Sequence, residues 1–111
     1  MLTIEDIHKA KDFLESEVDV PEWGGKVMVR TLSMASRYSI SEQSMVEKGK
    51  SREVDTIKFA AGTLEHGLVS PKMTAGDALK VVREHSPEPI QKLVDEIWRL
   101  SVLKEAVAKN G

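Results

Sequence analysis

The chain has 111 residues, 41% of them apolar and 31% charged, with a formal net charge of −2 and no cysteine. That length fits one domain with a modest core and no separate catalytic module. The composition excludes wholesale disorder, a disulfide framework and thiolate metal sites, and the near-neutral charge argues against a protein built to neutralise a phosphate backbone. The charge is unevenly placed. Residues 1–22 hold seven acids (Glu5, Asp6, Asp12, Glu15, Glu17, Asp19, Glu22) against two bases (Lys9, Lys11), a balance of −5, so the remainder carries +3. A solvated acidic face on the first helix is one reading, and head-to-tail attraction between copies is the other. The start, Met1-Leu2-Thr3-Ile4-Glu5-Asp6, lacks the basic residues and apolar run of a secretory signal, and no stretch is apolar for long enough to cross a bilayer. A soluble intracellular protein without membrane contact is expected.

The first helix is expected over about residues 3–15. Thr3 can cap it, with Asp6 three residues later in a capping-box arrangement. Ile4, Ile7, Ala10, Phe13 and Leu14 then recur at helical spacing and predict a buried stripe. The pattern changes after that. Val18 and Val20 alternate with polar residues, as do Val27 and Val29, and Gly24-Gly25 lies between the pairs. Period-two alternation around a glycine turn predicts a two-stranded antiparallel hairpin over about 17–32, with Pro21 at a strand end because it cannot donate to a ladder. A hairpin of two strands is marginal alone in water, so it must lean on helices or on another chain.

The rest, about 33–108, reads as a helical body. Ser33 can cap a second helix carrying Met34, Ala35 and Tyr38, extending toward Met45 and Val46. Gly49 and the charged run from Lys48 to Arg52 mark a break. A third helix from about Arg52 carries Val54, Ile57, Ala60, Ala61 and Leu64 and closes near Gly67. Leu68 to Met73, with Pro71, reads as a loop. Thr74 with Asp77 repeats the capping-box signal for a helix bearing Ala78, Leu79 and Val82. Ser86-Pro87 starts the last helix, whose apolar stripe of Ile90, Leu93, Val94, Ile97, Trp98 and Leu100 runs on toward Val107. The expected fold is therefore mainly α, in effect all-alpha: four to five helices in a compact bundle with an N-terminal hairpin.

The segment Val18-Asp19-Val20-Pro21-Glu22-Trp23-Gly24-Gly25-Lys26-Val27-Met28-Val29-Arg30, followed by Leu32-Ser33, resembles the tail assembly chaperones of long-tailed bacteriophages. The resemblance continues in weaker form through Thr74-Ala75-Gly76-Asp77-Ala78-Leu79 and Ile97-Trp98-Arg99-Leu100-Ser101. Ser36-Arg37-Tyr38 departs from it, since the family often has an acidic residue, Arg and then a charged residue there. The resemblance implies a chaperone that binds and solubilises the tape measure protein in the host bacterial cytoplasm and helps recruit tail tube subunits. It implies higher oligomers and a protein not retained in the mature tail.

The residues themselves point to binding without chemistry. His8, His66 and His85 fall on different expected elements, and no cysteine or glycine-flanked serine accompanies them. Glu5-x-x-His8 has the helical spacing of a di-metal motif, but such sites need two of these and further inward carboxylates. Gly24-Gly25 lacks the spacing and lysine of a phosphate loop. Neither Thr31–Gln43 nor Arg52–Gly67 gathers bases beside an aromatic on one helical face, as nucleic-acid contact would ask. No catalytic residue, metal or cofactor is expected. The expected partner surface is the hairpin, at Trp23, Val27, Met28 and Val29. Tryptophan at a turn is either a lid over the local core or an interface anchor. If Val27 and Val29 face inward, alternation turns Met28 outward. Trp98, inside the stripe of the last helix, is expected in the core. The rival readings are a nucleic-acid-binding regulator and a structural tail subunit.

Overall fold

The computed structural model describes the backbone of residues 1–110 and the side chains of residues 1–102. Helix α1 spans Ile4–Lys9 and is followed by strand β1, Glu15–Val20, a 3-10 turn at Pro21–Trp23, and strand β2, Gly25–Arg30. Helix α2 covers Met34–Ser44 and leads into strands β3, Met45–Lys48, and β4, Ser51–Val54. Helix α3, Thr56–Gly67, passes directly into strand β5, Leu68–Ser70, and helices α4, Ala75–Glu84, and α5, Pro87–Asn110, complete the chain.

The hairpin forms where alternation places it. Val18 faces Val27, and Ser16 faces Val29 across the ladder, so the four valines 18, 20, 27 and 29 share one face and are buried. The reversal differs from a simple glycine pair. Residues 21–24 make it, Gly24 alone is left-handed (φ 80°), and its N–H donates to the Pro21 carbonyl at 3.0 Å, while Gly25 already pairs with Val20. Proline at the first position of that turn loses no bond, because its nitrogen would have been unpaired there.

The fold is α+β, and the expectation of a mainly α, all-alpha bundle with one hairpin is overturned by five strands in two sheets. In the first sheet β5 pairs antiparallel with β2, giving the order β1-β2-β5 and making β2 the central strand. Its three residues fall in the stretch expected to be a loop. The second sheet is the ribbon β3–β4, reversed through Gly49 (φ 63°) and Lys50. Met45 and Val46, expected on the second helix, lie in β3, because helix α2 stops at Ser44, whose buried hydroxyl bonds back to the Ile40 carbonyl. Val54 lies in β4, and Asp55 instead caps α3, accepting from the Lys58 N–H at 3.1 Å.

Helix α1 is the second correction. Thr3 and Asp6 make the expected capping box, yet the helix ends at Lys9 and buries none of its residues. The chain is extended again by Leu14, whose N–H donates to Thr31 Oγ1 (3.0 Å) and whose carbonyl accepts from Thr31 N–H (2.9 Å). The sheet ladder thus claims residues that the apolar spacing assigned to a helix. Ile4, Ile7, Phe13 and Leu14 remain exposed.

Helix α5 packs across β1 and β2 and against α3, and α3 in turn packs against α2 and α4. Its Leu93 and Ile97 are wholly buried with Val20, Val29 and Leu64. Ser101 fastens the far end: its hydroxyl accepts from the Leu32 N–H (3.0 Å) and donates to the Ile97 carbonyl (2.9 Å). Trp98 is half-buried, packed against the core but stacked on Phe59 at its edge (5.5 Å between ring centres), with its indole N–H on Thr63 Oγ1 at 3.1 Å. The continuation of the stripe toward Val107 lies outside the described side chains.

Gly67, at the end of α3, lies against Ile97 of α5. A methyl group there would lie 2.5 Å from Ile97 Cδ1 and 2.8 Å from Ile97 Cγ2, in a side chain that is itself fully enclosed. Gly67→Ala should therefore destabilise the protein by about 1–3 kcal/mol, the range for overpacking a full core. Urea denaturation followed by circular dichroism measures this, and an unchanged midpoint would contradict the packing described.

Candidate polypeptide-binding surfaces

Four hairpin residues were expected at a partner surface, and they divide between two environments. Val27 and Val29 are buried on the face that packs on α5, so neither can present itself to another chain. Met28 is half-buried on the opposite face, flanked by Glu17 on β1 and Ser70 on β5. Trp23 is also half-buried. It packs against the core and meets the His85 ring edge-on, with ring centres 5.8 Å apart. Trp23 is thus a lid between the hairpin turn and the end of α4, with part of its ring at the surface.

A second set of exposed apolar side chains lies upstream. Met1, Leu2, Ile4, Ile7, Phe13 and Leu14 are all exposed, Ile4 at 69%, although periodicity assigns Ile4, Ile7, Phe13 and Leu14 to a buried stripe. The segment is rooted at its C-terminal end. There Leu14 is bonded to Thr31, and the Arg30 guanidinium lies 5.3 Å from the centre of the Phe13 ring. Arg30 also lines a cleft of about 900 Å³ beside β5, whose apolar wall includes Leu68, Val69 and Met73 and whose charged rim includes Glu65 and Lys72. His66 lines the same cleft, with Nε2 buried, without a hydrogen-bond partner among the described residues, and 3.8 Å from the Glu65 carboxylate.

The three histidines stay apart: His8 on exposed α1, His66 in the cleft, His85 against Trp23. Among the described residues no three His, Asp or Glu side chains converge in a way that could hold a metal ion. No helix among them is long and apolar enough to cross a membrane.

Electrostatics are concentrated along β1. Its outward face carries Glu15, Glu17 and Asp19, opposite Arg30, Met28 and Lys26 on β2. Lys26 Nζ lies 3.1 Å from Glu17, and that hydrogen bond together with the nearby carboxylates raises the lysine pKa above its ordinary value. At the β1–α5 seam, Lys92 Nζ donates to the Asp19 carbonyl (2.5 Å), and Ser16 Oγ donates to Glu96 (2.7 Å). Arg99 grips the Glu96 carboxylate through Nε (2.5 Å) and Nη2 (3.0 Å).

The chain matches no protein-family model, no curated protein and no solved structure.

The Glu96 carboxyl is held below its ordinary pKa of 4.5, first by the Arg99 hydrogen bonds and with help from Ser16. A carboxylate lowered on folding stabilises the native state at pH above its ordinary range, and that contribution disappears as pH falls through the lowered value. Glu96→Gln should therefore cost about 1–2 kcal/mol at neutral pH. The gap from the unmodified protein should narrow as pH falls below the ordinary value of 4.5 and close once it passes the lowered one. Denaturation midpoints across pH test this, and a pH-independent difference would show that the charge is not what matters.

Proposed function

We propose that the protein is an assembly chaperone for an elongated polypeptide, of the kind that phage tail assembly employs. In this reading it binds and solubilises the tape measure protein in the host bacterial cytoplasm, helps recruit tail tube protein, and is released before the tail is complete. The observation that carries the reading is the run of uncovered apolar side chains at Met1, Leu2, Ile4, Ile7, Phe13 and Leu14. Several large apolar side chains left exposed within one short segment offer a surface for other polypeptides. The resemblance of residues 18–33 to the tail assembly chaperones supplies the identity of the client. Physically, such a role asks for many weak apolar contacts that competing tube subunits can displace, and repetition along an extended client gives them avidity. Trp23 and Met28, each partly exposed on the hairpin, are secondary contacts on this reading, and the protein acts as an oligomer without nucleic acid, cofactor or catalysis.

Co-expression with a phage tape measure protein tests the proposal. Ile4→Glu with Ile7→Glu should leave the fold intact, since both residues are exposed, yet abolish co-purification and return the client to the insoluble fraction. Full retention of the client by this variant and by Trp23→Glu with Met28→Glu would reject both surfaces. Mass spectrometry of purified virions separates a chaperone from a structural tail subunit, which would remain in the particle. A gel shift at low salt tests the regulator alternative.

A further inference from the structure

The cleft beside β5 holds positive charge that is not answered from within the chain. Its volume, about 900 Å³, lies near the upper end of the range for ligand sites. Arg30 and Lys72 both line it, and neither forms an ion pair with any of the described residues. Glu15 stands opposite Arg30 across the β1–β2 ladder without pairing to it. The one acid among the lining residues, Glu65, lies 3.8 Å from the buried Nε2 of His66. The first turn of α4 borders the cleft at Thr74 and Ala75, but Asp77 closes that helix end by accepting from the Thr74 N–H, so the helix adds little positive field. Arg30 lies over the Phe13 ring, 5.3 Å from its centre. That contact steadies the guanidinium but supplies no carboxylate or carbonyl, so its fork of N–H donors stays open to a carboxylate.

Unpaired cations beside an apolar wall suit a ligand that is itself half acidic and half apolar. We propose that the cleft receives an acidic-apolar segment of the client polypeptide, with a carboxylate side chain taken by Arg30 and Lys72 and its apolar neighbours resting on Val69 and Met73. The occupant is a polypeptide because Phe13 belongs to both surfaces. It closes the exposed apolar segment of residues 1–14 and touches Arg30 in the cleft, so a chain lying along Ile4, Ile7 and Phe13 arrives at the cation. A small carboxylate would use the cleft and gain nothing from that segment. Charge on the segment is close to balanced, with Glu5, Asp6 and Asp12 against Lys9 and Lys11, and does not turn an acidic client away. The consequence is selectivity. Apolar contacts alone accept any greasy stretch, whereas a carboxylate requirement decides which stretches are held and in what register. This inference rests on the reading of the chain as a binder of an extended polypeptide and adds the chemistry of the segment bound.

Fluorescence anisotropy with the full chain, at about 50 mM salt where screening is weak, tests it. The probe is a labelled peptide of leucine, glutamate and serine in repeating order, amidated at its C-terminus, and its sister peptide has glutamine at every glutamate. The acidic peptide should bind about tenfold more tightly, the scale of one charge-assisted hydrogen-bonded contact. Arg30→Gln with Lys72→Gln should erase that preference, and Phe13→Leu, which keeps an apolar side chain but removes the ring, should reduce it about threefold. Lys72 is exposed, so Lys72→Glu alone carries the test if the Arg30 replacement disturbs the sheet, and it too should abolish the preference. The proposal is overturned by equal binding of the two peptides, by binding of neither, or by an acid preference that survives these variants. Displacement of the acidic peptide by an equal concentration of octanoate would also overturn it, because the site would then be one for small carboxylates. Capture of the tape measure protein on co-expression, together with no acid preference here, would leave the client-binding reading standing and remove only the carboxylate requirement.

Discussion

The burial of one valine face against the last helix is the interaction on which the rest of this structure depends. Val18, Val20, Val27 and Val29 gain a core only because Leu93 and Ile97 cover them. Neither partner would be stable alone, since a hairpin of two strands needs a third element and α5 needs an apolar surface for its stripe. The polar ties at the seam join residues 80 apart (Ser16 with Glu96) and 69 apart (Leu32 with Ser101). The first third of the chain therefore cannot settle until the last third is in place, which is a non-local arrangement for so small a protein.

Once that face is filled, what remains outside is unusually rich in unmatched surface. Residues 1–14 carry six large exposed apolar side chains, and the β3–β4 ribbon buries none of its residues. A protein selected only for stability would have folded these onto the body or replaced them with polar groups. On the proposed function the apolar side chains are the contact surface, and the interior is the frame that carries them.

Local signals in the sequence carried the local structure well and the sheet order poorly. The side-chain caps expected at Thr3, Ser33 and Thr74 are all formed, because each depends only on residues three positions apart. The hairpin was legible because its alternation and its glycine are contiguous. β5 was not, since three residues beside a proline carry no period, and only pairing with β2 makes them a strand. The ribbon was hidden by its charge, which reads as a break between helices. Helix α1 is shorter than its sequence suggests, because Phe13 and Leu14 continue an apolar spacing that the fold does not bury. Of the expected partner residues, alternation correctly separates Met28 from Val27 and Val29, but spacing alone could not tell that the strongest apolar exposure lies upstream. The cleft beside β5 was out of reach for the same reason as β5 itself.

The ammonium of Lys92 resting on the Asp19 carbonyl has a consequence for the long-term fate of the protein. Strand β1 is an outer strand, and an unguarded outer strand is a template for fibril growth. Here one of its backbone acceptors is already taken by a cation from α5, and the alternating carboxylates along it would repel a like copy laid alongside. At the other margin β5 is only three residues long, too short to seed much growth. Both margins of the sheet are thus poor templates for a further strand.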